Sequence, residues 1–320
     1  MHDNILEVKG LKKTFHMKNG TTVEAVKGIS FNVVRGEIFG FLGPNGAGKS
    51  TTISMLTTQL KADAGEILLD GKSVIADPVG ARARIGVVTQ HNNLDRSLTA
   101  RENLLFHARY FGMEKEEAIE KADEYLEKFG LKDRQDDYVS TYSGGMAQRL
   151  KIARAMMHTP DILFLDEPTT GLDPNYREIL WQNMLELNRA GTTIFLTTHY
   201  MEEPERFCQH IAIVNHGEVK AMGTSEELKE MIPSRNILSL KLDTMDDALA
   251  SRATKLAHVQ QAKIQNGYLM LYMDEKQPDF DAIIRWTEEE RRTLRNISLS
   301  TSTLDDVFVY LTGNGINAAR

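Results

Sequence analysis

Residues 43–51, GPNGAGKST, fit the spacing G-x-x-x-x-G-K-[ST]. Glycines at 43, 46 and 48 allow a loop whose amide hydrogens all point inward, where they cradle phosphate oxygens. Pro44, Asn45 and Ala47 complete that frame, and Thr51 follows it into the helical pattern STTISMLTTQL, whose N-terminal dipole adds to the anion site. Lys49 is spaced to reach β- and γ-phosphates and Ser50 to ligand Mg²⁺. A second motif, ILFLDE at 162–167, is an apolar strand ending in two carboxylates. There Asp166 can hold Mg²⁺ through water and Glu167 can polarise an attacking water. Alone, such a pair is often a solvated turn or a helix cap. Together with the loop it predicts binding and hydrolysis of MgATP.

A third element, YSGGMAQRLKIARAM at 142–156, places Ser143, Gly144 and Gly145 at a predicted helix N-terminus. Serine is a good cap there, but a cap does not call for two glycines, which weaken a helix. Bare amides at a helix start make a second phosphate-binding surface, so the chain carries two anion sites of different design.

Several elements must position these residues. The first forty residues alternate apolar and polar, as antiparallel strands joined by turns do. The short apolar runs EIFGFLG (37–43), DILFLDE (161–167) and TTIFLTT (192–198) each lead into helical pattern. Strands covered on both faces look like this, which predicts an α/β core with a parallel sheet. A helical subdomain is expected over about 92–160. Its first helix opens with the capping-box pair Thr99 and Glu102 and ends near Gly112, a second spans roughly 114–129, and a third runs from Ser143 to before Pro160. Beyond Pro233 the pattern changes to short strands mixed with helices. The boundaries drawn are a nucleotide-binding domain over 1–232 and an accessory α+β domain over 233–320, closing with the helical pattern LDDVFVYLTG at 304–313.

The 320 residues suit one large domain and one smaller one. A net charge of −7 argues against nucleic acid as a partner. The single cysteine, Cys208, excludes an internal disulfide, fits a reducing cytosol and reads as small core filling. No apolar run reaches the 18 or more residues of a membrane span, so any membrane link must run through a partner.

Over residues 5–230 the motif order resembles that of the ATPase subunits of ABC transporters, a P-loop NTPase fold. Phe15 stands where that family stacks an aromatic ring on adenine. Gln90 in GVVTQHNNLD matches the Q-loop, YSGGM the signature usually written LSGGQ, Asp173 in TTGLDP the D-loop, and His199 in TTHYMEEPERF the switch histidine. Singly, these are also a core aromatic, a surface amide, an N-cap before Pro174 and a strand-end histidine. Two departures stand out: Met146 for glutamine and Pro204 in the helix after His199.

The resemblance implies a head-to-tail homodimer in which each ATP lies between one chain's phosphate loop and the other's signature turn. It assigns Glu167 as the base, His199 as the γ-phosphate clamp, Gln90 as the link between the Mg²⁺ site and the partner, and Asp173 as the aligner of the opposite site. The phrases LTARENLLFHARYFG and LDDVFVYLTG resemble the drug- and antibiotic-exporter branch, including daunorubicin-resistance ATPases. In that branch the ATPase is peripheral on the cytoplasmic face, paired with separately encoded transmembrane permeases. Alternatives are an importer ATPase, a soluble mechano-ATPase acting on ribosomes or DNA, and a small-molecule kinase. The second phosphate-binding helix argues against the last.

Overall fold

The computed structural model describes residues 3–18, 20–91, 93–232, 236–246, 248–265, 267–273 and 278–312. Contacts divide the chain into two compact units, one extending to Met222 and one beginning at Gly223.

The first unit begins with the long strands β1 (Asn4–His16) and β2 (Thr22–Val34), paired antiparallel. With β4 (Ala64–Leu69) and β5 (Lys72–Ser73) they form a four-stranded sheet in the order β2-β1-β4-β5. The remaining strands of the unit are β3 (Ile38–Leu42), β6 (Ile85–Val88), β7 (Ile162–Asp166), β8 (Thr193–Thr198), β9 (His210–Asn215) and β10 (Glu218–Gly223). They form a second sheet in the order β10-β9-β3-β8-β7-β6, and the pairs β9/β3, β3/β8, β8/β7 and β7/β6 are all parallel. The three apolar runs read from sequence are therefore its adjacent central strands. Every residue of β3 and β8 is buried, as expected for strands covered on both faces.

Phe31 of the first sheet meets Phe39, Phe41 and Phe195 of the second at centroid distances of 5.4–5.9 Å, and Phe164 extends the cluster. This aromatic core holds the two sheets together. The other face of the parallel sheet is covered by helices α3 (Ala100–Tyr110), α4 (Lys115–Lys128), α5 (Gly144–Met156) and α6 (Pro174–Arg189), which share a core through Leu104, Leu126, Leu150 and Trp181. Thr99 and Glu102 form the predicted capping box. Shorter helices are α1 (Lys49–Leu56), α2 (Pro78–Ala83) and α7 (Glu202–Phe207). The helical run expected to continue to Leu60 ends at Leu56, because Thr58 takes a left-handed φ of 61°. Pro204 lies within the first turn of α7, where its missing amide costs nothing. Cys208 follows α7 and packs on the core beside Gly40.

The second unit contains α8 (Ser225–Glu230), β11 (Asn236–Leu242), α9 (Leu249–Ala253), β12 (Val259–Gln265), β13 (Tyr268–Met273), α10 (Phe280–Glu289), β14 (Leu294–Thr301) and α11 (Leu304–Thr312). Its sheet is antiparallel in the order β12-β13-β11-β14, with Leu238, Leu240, Leu269 and Leu271 packed under Leu249, Ile283 and Trp286. Helix α9 is only five residues long. Pro233 and Gly313 lie outside the described residues.

Candidate active site

Because β3, β8 and β7 run parallel and side by side, the segments leaving their C-terminal ends converge on one edge of the sheet, where open α/β sheets bind ligands. The loop 43–48 leaves β3, Glu167 follows β7 and His199 follows β8. Two glycines of the loop are sterically required. A Cβ on Gly43 would lie 2.2 Å from the Val214 carbonyl oxygen, and one on Gly48, whose φ is +101°, would lie 2.4 Å from that of Ala25. Gly48 is the N-cap of α1 and offers no side-chain acceptor, so the first amides of the helix are left for a ligand.

The Lys49 ammonium is buried. It donates to the carbonyls of Gly43 at 2.8 Å and Pro44 at 3.2 Å, and pairs with Glu167 Oε1 at 3.2 Å. Its three protons are thus matched to three acceptors. The other oxygen of Glu167 accepts from the Thr170 hydroxyl at 3.2 Å and lies 3.1 Å from His199 Nδ1. Burial alone would raise the Glu167 pKa, but the charges of Lys49 and His199 outweigh it and hold the carboxyl below the usual glutamate value. Glu167 also adopts a φ of 48°, uncommon outside glycine and a form of strain that clusters at functional sites.

Ser50 donates to Asp166 Oδ1 at 3.2 Å, placing a hydroxyl and a carboxylate together. That oxygen also accepts from the Thr197 hydroxyl at 2.6 Å, while the amide of Glu167 donates to the Thr197 hydroxyl and carbonyl oxygens, each at 3.1 Å. Thr197, opposite Asp166 in the β7/β8 register, thereby orients both carboxylates. Its only signal in the sequence is a polar residue near the end of an apolar strand.

These groups border a cavity of about 470 Å³ lined by Phe15, Asn45, Gly46, Gly48, Lys49, Ser50, Thr51, Gln90 and Glu167. Val23, Glu24, Ala25, Lys27 and His216 complete its wall and had no motif to mark them. Gly43, Pro44 and Ala47 shape the loop without lining the cavity; Asp166 reaches it through Ser50, and His199 through Glu167. The arrangement supplies amides and an ammonium for a polyphosphate, oxygen donors fit for a hard divalent cation, and a carboxylate beside them for a water.

The signature turn stands apart. Ser143 caps α5, accepting from the Met146 amide at 3.3 Å, and Ser143 and Gly144 are exposed. Tyr142 donates its hydroxyl to the Arg134 carbonyl at 2.8 Å, and Met146 packs against the core. Asp173 caps α6, accepting from the amides of Asn175 and Tyr176. None of Ser143, Gly144, Gly145 and Asp173 lines the cavity of its own chain.

Comparison with known proteins agrees with this geometry. The ABC transporter family model matches residues 26–170. The chain is 41% identical to the daunorubicin/doxorubicin resistance ATP-binding protein DrrA of Streptomyces peucetius, over 97% of this chain and 92% of that protein. It is 36% identical to the linearmycin resistance ATP-binding protein LnrL of Bacillus subtilis, over 97% and 98%, and 39% identical to the Nod factor export ATP-binding protein I of Paraburkholderia xenovorans, over 98% of each. Among solved structures, a dimeric ATP-binding cassette in a post-hydrolysis state with ADP and Pi superposes with a TM-score of 0.63 at 30% identity, covering 68% of this chain and 98% of that one. An ATP-binding subunit of an ABC transporter gives 0.64 at 30%, covering 71% and 92%. The chain belongs to the ATP-binding subunits of ABC transporters, which bind and hydrolyse ATP.

Proposed function

We propose that this chain forms one half of an ATP-closed homodimer that drives export of drugs, antibiotics or lipid-like compounds through separately encoded permease subunits. One observation carries the dimer: Ser143 and Gly144 of the signature turn are exposed and the turn lies outside its own chain's cavity, so a second copy is free to supply it. A two-fold arrangement satisfies both sites at once. The export branch is favoured by relatives named for daunorubicin/doxorubicin resistance, linearmycin resistance and Nod factor export.

In this reading Phe15 stacks on adenine and residues Gly43 to Thr51 hold the phosphates. Ser143, Gly144 and Gly145 close on the partner's nucleotide, and Asp173 aligns the opposite site. Phosphate entering the loop takes over the Lys49 protons now shared with two carbonyls and Glu167. Glu167, released from Lys49, accepts a proton from the attacking water, and His199 holds the γ-phosphate. Ser50, Gln90 and Asp166 would hold Mg²⁺, which would supply charge neutralisation at the β- and γ-phosphates. The oxygen donors of Ser50 and Asp166, 3.2 Å apart, suit it.

Residues 1–232 act as the ATPase domain and 233–320 as an accessory domain. Among the described residues no helix is long and apolar enough to cross a membrane. Attachment to the cytoplasmic face then comes through the permease, and Phe106 and Tyr110 on α3, 69% and 81% exposed, give it aromatic surface to cover. Co-expression with a candidate permease tests the reading. The chain should sediment with membranes only when that protein is present, and its ATPase rate should change there. A chain that stays in the soluble fraction in both cases would contradict it.

A further inference from the structure

Tyr176 lies in the first turn of α6, three residues after Asp173, and does not line the nucleotide cavity. Its amide donates to the Asp173 carboxylate at 3.2 Å. Its ring lies against the Cα of Gly145, where an added methyl would sit 3.1 Å from Cγ and 3.2 Å from Cδ1. Arg149, one turn further along α5, holds its guanidinium 6.0 Å from the ring centroid and donates to the Phe129 carbonyl at the end of α4 at 2.7 Å. The ring therefore sits between the signature helix and the Asp173 turn while remaining 39% exposed.

The neighbouring glycine behaves differently. Nothing lies within 4 Å of where a Cβ on Gly144 would point. The two signature glycines thus have separate tasks: Gly144 leaves its outer side bare, and Gly145 makes room for Tyr176 within the same chain.

We propose that Tyr176 is a positioning residue whose ring, seated on Gly145, locks the signature turn at Ser143–Gly145 to the Asp173 turn, so that both partner-facing segments move as one body. The inference rests on the homodimer reading above, in which both segments meet the partner's nucleotide. Alanine is a better helix former than glycine, so Gly145→Ala should favour α5 itself; a loss then comes from the methyl meeting the ring or the partner's nucleotide, and only the first is relieved by truncating Tyr176.

The test is a double-mutant cycle with two readouts. ATP-dependent dimerisation is measured by sedimentation in the Glu167→Gln background, and kcat and KM for ATP are measured without that change. Gly145→Ala should weaken dimerisation about ten-fold, the scale of an overpacked contact. Adding Tyr176→Ala should return it to within about two-fold of Tyr176→Ala alone, the non-additivity of residues in contact. Tyr176→Phe, which keeps the ring, should match the parent, and Tyr176→Ala should not rescue Gly144→Asp. If the double variant melts early, Gly145→Ser with Tyr176→Leu repeats the cycle. Additive losses, or a Gly145→Ala chain indistinguishable from the parent, overturn the proposal. If Glu167→Gln does not dimerise with ATP, the homodimer reading fails. The ATPase cycle then decides the link: loss with rescue sustains it, and an unaffected kcat and KM rejects it.

Discussion

Replacing Thr197 by valine isolates the support beneath the two carboxylates, because valine keeps the branched shape and favours a strand. The change deletes a hydroxyl that donates to Asp166 Oδ1 at 2.6 Å and accepts from the Glu167 amide. The amide keeps a second acceptor, the Thr197 carbonyl oxygen at 3.1 Å, so its loss is small. Losing the bond to Asp166 costs more, since a hydrogen bond to a charged group contributes about 1.5–3 kcal/mol. Asp166 is only partly buried and recovers some hydration, which brings the expected cost to about 1.5 kcal/mol. In a unit of this size that lowers the melting temperature by about 3–6 °C. Groups that orient a metal ligand typically contribute about 10–100-fold to metal affinity, so the Mg²⁺ concentration for half-maximal ATPase should rise by about ten-fold. Thermal melts without nucleotide and a Mg²⁺ titration at fixed ATP read both effects. A melt within a degree of the parent, together with an unchanged Mg²⁺ requirement, would refute the role given to Thr197.

Lys49→Ala leaves Glu167 buried without its cation, a loss of about 3–5 kcal/mol for a broken buried pair. The nucleotide-free variant should melt lower and fail to bind a fluorescent ATP analogue, and adding Glu167→Gln should recover stability but not binding. Glu167 has its folded pKa held below the unfolded value near 4.5, so its ionisation contributes stability that is present above that pH and lost as pH falls through the folded pKa. Acid titration should therefore destabilise the parent more than Glu167→Gln, and parallel curves would contradict the pairing. His107 is pushed down to about 3 by burial, helped by the charges of Arg154 and His158. Since the unfolded chain takes up this proton near 6.5 and the folded chain does not, stability should fall between about pH 6.5 and 3, and His107→Gln should flatten that fall.

Much of the fold was legible because local rules coincide with global ones at this site. The phosphate loop needs glycines wherever it is built, and parallel strands covered on both faces must read as unbroken apolar runs. The capping box at Thr99 marks its helix for the same local reason. What escaped depends on contacts far along the chain. Strand β6 is only four residues long and β9 is marked only by the His216–Gly217 turn at its end, and they pair with strands more than seventy and more than a hundred and sixty residues away in sequence. Gly145 reads as a bare helix start until Tyr176, thirty-one residues later, is seen against it. Thr197 resembles any threonine in a strand until register sets it beside Asp166. The left-handed backbone of Glu167 has no sequence signal, since no glycine, asparagine or aspartate stands there.

At the heart of the proposed mechanism, ATP closes two copies of this chain upon each other, each giving its signature turn to the other's phosphate loop. The solution mass of Glu167→Gln decides whether it does, because binding persists in that variant while proton acceptance by residue 167 is removed. With ATP and Mg²⁺ the mass should move from 36.0 kDa to twice that value and return when nucleotide is withdrawn. A species remaining at 36.0 kDa with ATP shown to be bound would contradict ATP-driven closure.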